Sequence, residues 1–193
     1  MVKKTREMKQ VGKVFDQFIK KPFSKEAYLA NDDVAKNVTC RLFKQFDIQL
    51  SEFMPQGSPF EIDLVGQFKG RTIYVECAKT QNKDWNGFEF PERWNGIHVP
   101  ARKEAKLNAD KWPSQYNVKQ KDIYYSLVNR HLSFVAVCFD TSAILNSPKT
   151  NMIKTPVDQP DHITPDSFYI VPIKHWKIKE NPQPNIQAST HDF

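Results

Sequence analysis

Two carboxylates, Asp63 and Glu76, flank a Lys69-Gly70 turn in the stretch FEIDLVGQFKGRTIYVECAK, residues 60–79. Over residues 60–68 the pattern alternates, with Phe60, Ile62, Leu64 and Phe68 on one face and Glu61, Asp63, Val65 and Gln67 on the other, as in a half-buried strand. Residues 71–79 read as a second strand, rich in β-branched and aromatic side chains (Thr72, Ile73, Tyr74, Val75), and Gly70 supplies the positive φ that a tight hairpin needs. A two-residue loop pairs Phe68 with Arg71 and so sets Asp63 opposite Glu76. Opposed side chains have Cβ atoms about 4.5–5.5 Å apart, and like charges there destabilise a sheet by up to about 1 kcal/mol. A shared divalent cation offsets that repulsion, because hard ions such as Mg²⁺ take oxygen ligands and usually need only one or two carboxylates. A loop of odd length would instead put Asp63 opposite Cys77 and send the two acids to different faces. Either acid alone reads more readily as a solvated charge on a surface strand than as a ligand; it is their joint placement that points to a metal.

The elements that must hold this hairpin follow from local pattern. Residues 1–21 carry seven basic side chains against Glu7 and Asp16, with apolar residues at helical spacing, which predicts a basic amphipathic helix or arm over residues 1–22. Asn31-Asp32-Asp33 forms an N-cap cluster, and Val34, Ala35, Val38, Leu42 and Phe46 then fall on one arc of a helix. A short strand is expected over residues 48–53 and a turn over 55–59. Residues 80–101 read as irregular, with aromatics Trp85, Phe88, Phe90 and Trp94 that either cover a core edge or stack on bases. Residues 102–110 predict a short helix with Arg102, Lys103 and Lys106 on one side, a phosphate-contacting face. Residues 122–128 and 133–139 read as a strand pair, residues 140–167 as a long loop with four prolines, and residues 168–172 as a last strand. The expected organisation is one α/β domain over residues 23–179, with a flexible tail over 180–193.

Composition narrows the partners. The chain has 193 residues and a formal charge of +6, with a pI near 9.1, which favours an acidic partner and nucleic acid first among them. Cys40, Cys77 and Cys138 lie inside predicted elements without CxxC or histidine spacing, so they read as reduced core thiols rather than disulfides or zinc ligands. No run of about 18 apolar residues and no apolar leader is present, so no membrane partner is expected and the location expected is cytoplasmic.

The order helix, strand, acid-bearing hairpin, basic helix and apolar strands, with EIDLV followed by YVECAK, resembles the PD-(D/E)XK nuclease superfamily over roughly residues 30–140. That resemblance implies a restriction-endonuclease-like fold, a mixed central β-sheet flanked by helices, and Mg²⁺- or Mn²⁺-dependent hydrolysis of phosphodiesters, in DNA more than RNA. It matches Asp63 and Glu76 to the family's metal-binding acids and the backbone carbonyl of Cys77 to a further ligand. Lys79 is matched to the lysine that handles the attacking water. Glu61 or Asp33 would complete the ligand set, with Asp32 beside Asp33 an equal match for the family's helix acid. Lys69, Arg71, Lys83, Arg102, Lys103 and Lys106 would contact the nucleic acid. The family usually places its lysine two residues after the acid, where this chain has Ala78. Lys79 reaches the face of Glu76 only if the strand bulges; otherwise Lys83 or Lys103 would substitute. Cutting both strands of a duplex would call for two sites, hence a homodimer. The alternative is an inactive protein of the same fold that binds nucleic acid or serves in an assembly.

Overall fold

The computed structural model describes residues 25–53, 62–80, 82–154 and 164–181. The expected basic arm, the turn over 55–59, Glu61 and the last twelve residues lie outside that set.

The chain is α/β, with a mixed sheet and a few helices. Helix α1 (Lys25–Lys44) is followed by β1 (Leu50–Glu52), β2 (Leu64–Phe68), β3 (Arg71–Lys79) and β4 (Ile97–Pro100). A 3₁₀ turn (Ala101–Lys103) leads into the short α2 (Glu104–Leu107), then come β5 (Ile123–Val128), β6 (Phe134–Cys138), α3 (Thr141–Leu145), β7 (Lys149–Lys154), β8 (Thr164–Val171) and β9 (Lys177–Glu180). Six strands form one sheet in the order β1-β2-β3-β5-β6-β9, and β4-β8-β7 form a second. Only β3 and β5 run parallel within these ladders. A parallel pair cannot be joined by a tight turn, and residues 80–122 make the crossover.

Both faces of the large sheet are covered, which is why all six residues of β5 are buried. On one face α1 lays Ala35, Val38, Leu42 and Phe43 against Ile73, Val75, Cys77, Tyr124, Val135 and Val137. On the other, the crossover and the second sheet bring Trp85, Phe90, Leu107, Trp112, Tyr169 and Trp176 onto Tyr125 and Leu127.

The hairpin has the register that a two-residue loop dictates, Phe68 with Arg71 and Leu64 with Val75. Lys69 (φ 49°) and Gly70 (φ 74°) both have positive φ, the geometry of a type I′ turn whose twist matches the strands it joins.

Several expectations are corrected. Helix α1 starts at Lys25, so Asp32 and Asp33 sit inside it rather than at its cap, and Asp32 pairs with Lys36 at 3.0 Å, one turn on. β2 starts at Leu64, after a bend at Asp63 that breaks the alternation, so Ile62 joins the aromatic core while Leu64 faces α1. Of the aromatics in residues 80–101, Trp85 and Phe90 are buried in the core, in keeping with the core-edge reading, and Phe88 is exposed. The region read as a long loop holds α3, capped by the Asp140 side chain accepting from the Ser142 amide, and β7. Glu180, placed in the tail, pairs with Phe134 as the end of β9, and Asn181 is buried, its side chain donating to the Leu132 carbonyl at 2.6 Å.

Among the described residues no helix is long and apolar enough to cross a membrane.

Candidate functional site

Asp63 stands in the bend before β2, and its Oδ2 accepts the backbone N–H of Cys77 at 2.7 Å. Glu76, in the middle of β3, is only 1% exposed. A carboxylate that deep must be paired or give up its charge, and the crossover supplies the partners. Lys103 closes the 3₁₀ turn and Lys106 lies three residues on, so both ammonium groups project from one side of this helical segment. Lys103 Nζ lies 2.5 Å from Glu76 Oε1 and 3.0 Å from the carbonyl oxygen of Cys77. Lys106 Nζ lies 3.2 Å from Glu76 Oε2. That second contact is an ion pair without hydrogen-bond geometry, and Oε2 is buried with no hydrogen-bond partner among the described residues. The Lys103 ammonium also sits 5.6 Å from the centre of the Tyr125 ring, the β5 neighbour of Glu76.

The charges set one another's protonation. Burial, and then the neighbouring Glu76 charge, push Asp63 up to about 6, against the opposing pull of the Cys77 N–H and the two lysines. Burial alone would pull Lys103 down, but Tyr125, Glu76 and Asp63 together hold it above the ordinary lysine value. Burial pushes the Tyr125 hydroxyl up to about 12 despite Lys103. The Cys77 thiol is raised well above its usual range by burial, which makes it a packing group rather than a nucleophile.

The residues singled out from the sequence divide into two sets. Asp63, Glu76, the Cys77 carbonyl, Lys103 and Lys106 come together. Lys79 does not join them: β3 pairs with β5 without interruption from Tyr74 to Lys79, so no bulge turns Lys79 toward Glu76, and it shares the side of Cys77. Its pKa is lowered, by burial first and then by Arg130. Lys103 and Lys106, expected on a phosphate-contacting face, pair with Glu76, and Lys103 is also a candidate substitute for Lys79. Arg71 is bound to Asp122 at 3.0 Å, Lys69 lies over the Phe68 ring in the hairpin turn, and Lys83 and Asp33 are exposed away from the pair. Asp32, rather than Asp33, faces the adjoining cleft.

That cleft, about 660 Å³, opens where β3 and β5 end, and Lys79, Trp94, His98, Arg102, Lys103 and Phe168 line it. The carboxyl ends of parallel strands are where open α/β sheets commonly bind ligands. Its wall also carries Arg93 and Asp32, so cations outnumber acids. Neither Asp63 nor Glu76 lines it, but Lys103 does and also pairs with Glu76. Trp94 is one of the aromatics read from the sequence as covering a core edge or stacking on bases; His98 and Phe168 carried no local signal, because tertiary contact alone brings β4 and β8 to the end of β3. Lys103 and Lys106 carried one, their three-residue spacing.

Asp63, Glu76 and the Cys77 carbonyl form a hard oxygen set of the kind Mg²⁺ or Mn²⁺ takes, and Glu76 Oε2, ion-paired to Lys106 but without a hydrogen bond among the described residues, fits such an ion. Among the described residues no three His, Cys, Asp or Glu side chains gather as a fuller metal cluster. Comparison with protein-family models, curated proteins and solved structures returns no match to this chain, so the site is read from its own geometry.

Proposed function

We propose that the chain is a metal-dependent nuclease that hydrolyses phosphodiester bonds, in DNA more than RNA. One observation carries the reading: a buried carboxylate, Glu76, and a half-buried one, Asp63, gather with a backbone carbonyl and a lysine beside a basic cleft. The order α1, β1, the acid-bearing hairpin β2-β3 and a crossover to the parallel strand β5 supports the reading too, because it resembles the restriction-endonuclease-like arrangement of the PD-(D/E)XK superfamily.

Asp63, Glu76 and the Cys77 carbonyl would hold Mg²⁺ or Mn²⁺. Such an ion, when bound, lowers the pKa of a coordinated water and stabilises charge on the phosphorus. Lys103, which touches Glu76 and lines the cleft, takes the part first given to Lys79. Lys79, Arg93 and Arg102 on the cleft wall offer cations to the phosphate backbone, an attraction that weakens steeply with salt. Asp63 must be ionised to bind a cation, so protons compete with the metal there and acid weakens metal binding.

A supercoiled-plasmid nicking assay with Mg²⁺ or Mn²⁺ tests this, comparing wild type with Asp63→Asn and Glu76→Gln. Metal-dependent nicking lost in both variants is expected. Absence of cleavage by wild type across DNA and RNA substrates would defeat the enzyme reading. A second reading, an inactive protein of this fold that binds nucleic acid, is favoured by the regular β3 and by the two lysines that already neutralise Glu76. It predicts salt-sensitive binding without cleavage.

A further inference from the structure

Lys103 does more than flank the acids. Its ammonium bridges Glu76 Oε1 and the Cys77 carbonyl, two of the three oxygens assigned to the metal. A protonated amine within hydrogen-bond distance of a carboxylate and a carbonyl makes the same electrostatic use of those lone pairs as a metal ion does. The charge count agrees. Asp63 and Glu76 bring two negative charges when ionised, and Lys103 and Lys106 bring two positive ones. A divalent ion added to that set would leave an excess of two positive charges in a buried place, a costly arrangement.

We infer that the Lys103 ammonium is the resident cation of this site, which a divalent ion must displace from Glu76 and Cys77, turning Lys103 outward to the cleft. This rests on the metal reading given above. The exchange gives one residue two positions. Without metal, Lys103 neutralises Glu76 and closes the acids off from the cleft. With metal, its charge is delivered to the cleft wall, where a phosphate would lie. Lys106 touches Glu76 alone and holds no contact with the Cys77 carbonyl, so it competes less.

Isothermal titration of the full chain with MnCl₂ tests the exchange in wild type, Lys103→Met and Lys106→Met. Lys103→Met should bind Mn²⁺ about tenfold more tightly or better, since contact between two buried cations costs at least a decade of affinity. The gain from Lys106→Met should be smaller. Equal or weaker binding by Lys103→Met would overturn the inference and leave the metal reading standing. An equal gain from Lys106→Met would reduce the effect to bulk charge and overturn it too. No Mn²⁺ binding in any of the three would overturn both. If Lys103→Met does not fold, wild type carries the test alone: saturating Mn²⁺ should speed acetylation of Lys103 by an amine-reactive reagent several-fold relative to Lys106. An unchanged ratio would overturn the exchange.

Discussion

Glu76 and Cys77 are neighbours on β3, and the two faces of the strand treat them in opposite ways. On the Cys77 side, α1 covers the sheet with aliphatic side chains. Between the helix and the sheet, Thr39 Oγ1 and Ser126 Oγ share a buried 2.8 Å hydrogen bond. On the Glu76 side a buried acid is balanced by two ammonium groups, with Asp63 beside it. Burial of apolar surface stabilises by about 25 cal/mol per Å² wherever it occurs, whereas a buried ion pair is often matched or bettered by apolar residues of the same size. The α1 face is explained by folding alone. The Glu76 face is a poor way to gain stability, and chemistry is the better account of it.

If that contrast is right, removing the centre of each face should give opposite patterns. Glu76→Ala strands two ammonium groups and should cost about 3–5 kcal/mol, measured by urea denaturation, with loss of Mn²⁺ binding. Leu42→Ala, under α1, should cost about 2–5 kcal/mol by cavity formation and leave Mn²⁺ binding intact. A loss of metal binding in Leu42→Ala would break the contrast.

Asp63 sharpens it through pH. Its folded pKa, about 6, exceeds the ordinary aspartate value. Between about pH 4 and 6 the folded state therefore holds more protons than the unfolded chain. The stability tied to this carboxyl is full below about pH 4 and lost as pH rises through 6. In EDTA, Asp63→Asn should flatten that slope and gain up to about 2 kcal/mol near pH 7.5, followed by thermal unfolding across the pH range. An unchanged slope would mean that Asp63 is not the strained charge.

Smaller effects belong to the α1 face. Ser126→Ala removes the Thr39–Ser126 hydrogen bond and should cost about 1 kcal/mol; a double-mutant cycle with Thr39→Val measures the coupling. Lys79→Ala, at the end of the strand and off the acid face, should change stability by less than about 0.5 kcal/mol. It should also leave Mn²⁺ affinity unchanged by calorimetry.

Local features of the sequence specified the hairpin. Gly70 favours a two-residue turn, that turn sets the register, and the alternation supplies the faces from Leu64 onward. The stripe Ala35, Val38, Leu42 marked the buried side of α1 for the same reason. The start of α1 was hidden, because Asn31-Asp32-Asp33 is as good a cap as any, and Asp32 instead takes a partner at Lys36 within the helix. The bend at Asp63 was hidden too, since a period-2 pattern cannot reveal where a strand begins. The direction of Lys103 and Lys106 was illegible for a stronger reason: their spacing puts them on one side of a helix, but only the path of the crossover decides that this side meets Glu76. The second sheet depends likewise on contacts distant in sequence, β4 with β8 and β8 with β7.

The central claim is that the Glu76 face of β3 is a divalent-cation site, and a crystal soaked in Mn²⁺ tests it most directly. The account predicts an anomalous peak at roughly 2.1 Å, the distance expected of a hard ion of Mg²⁺ size, from oxygens of Asp63, Glu76 and the Cys77 carbonyl, with the Lys103 ammonium turned toward the cleft. A saturated crystal with no peak there, and with Lys103 still bridging Glu76 and Cys77, would contradict it.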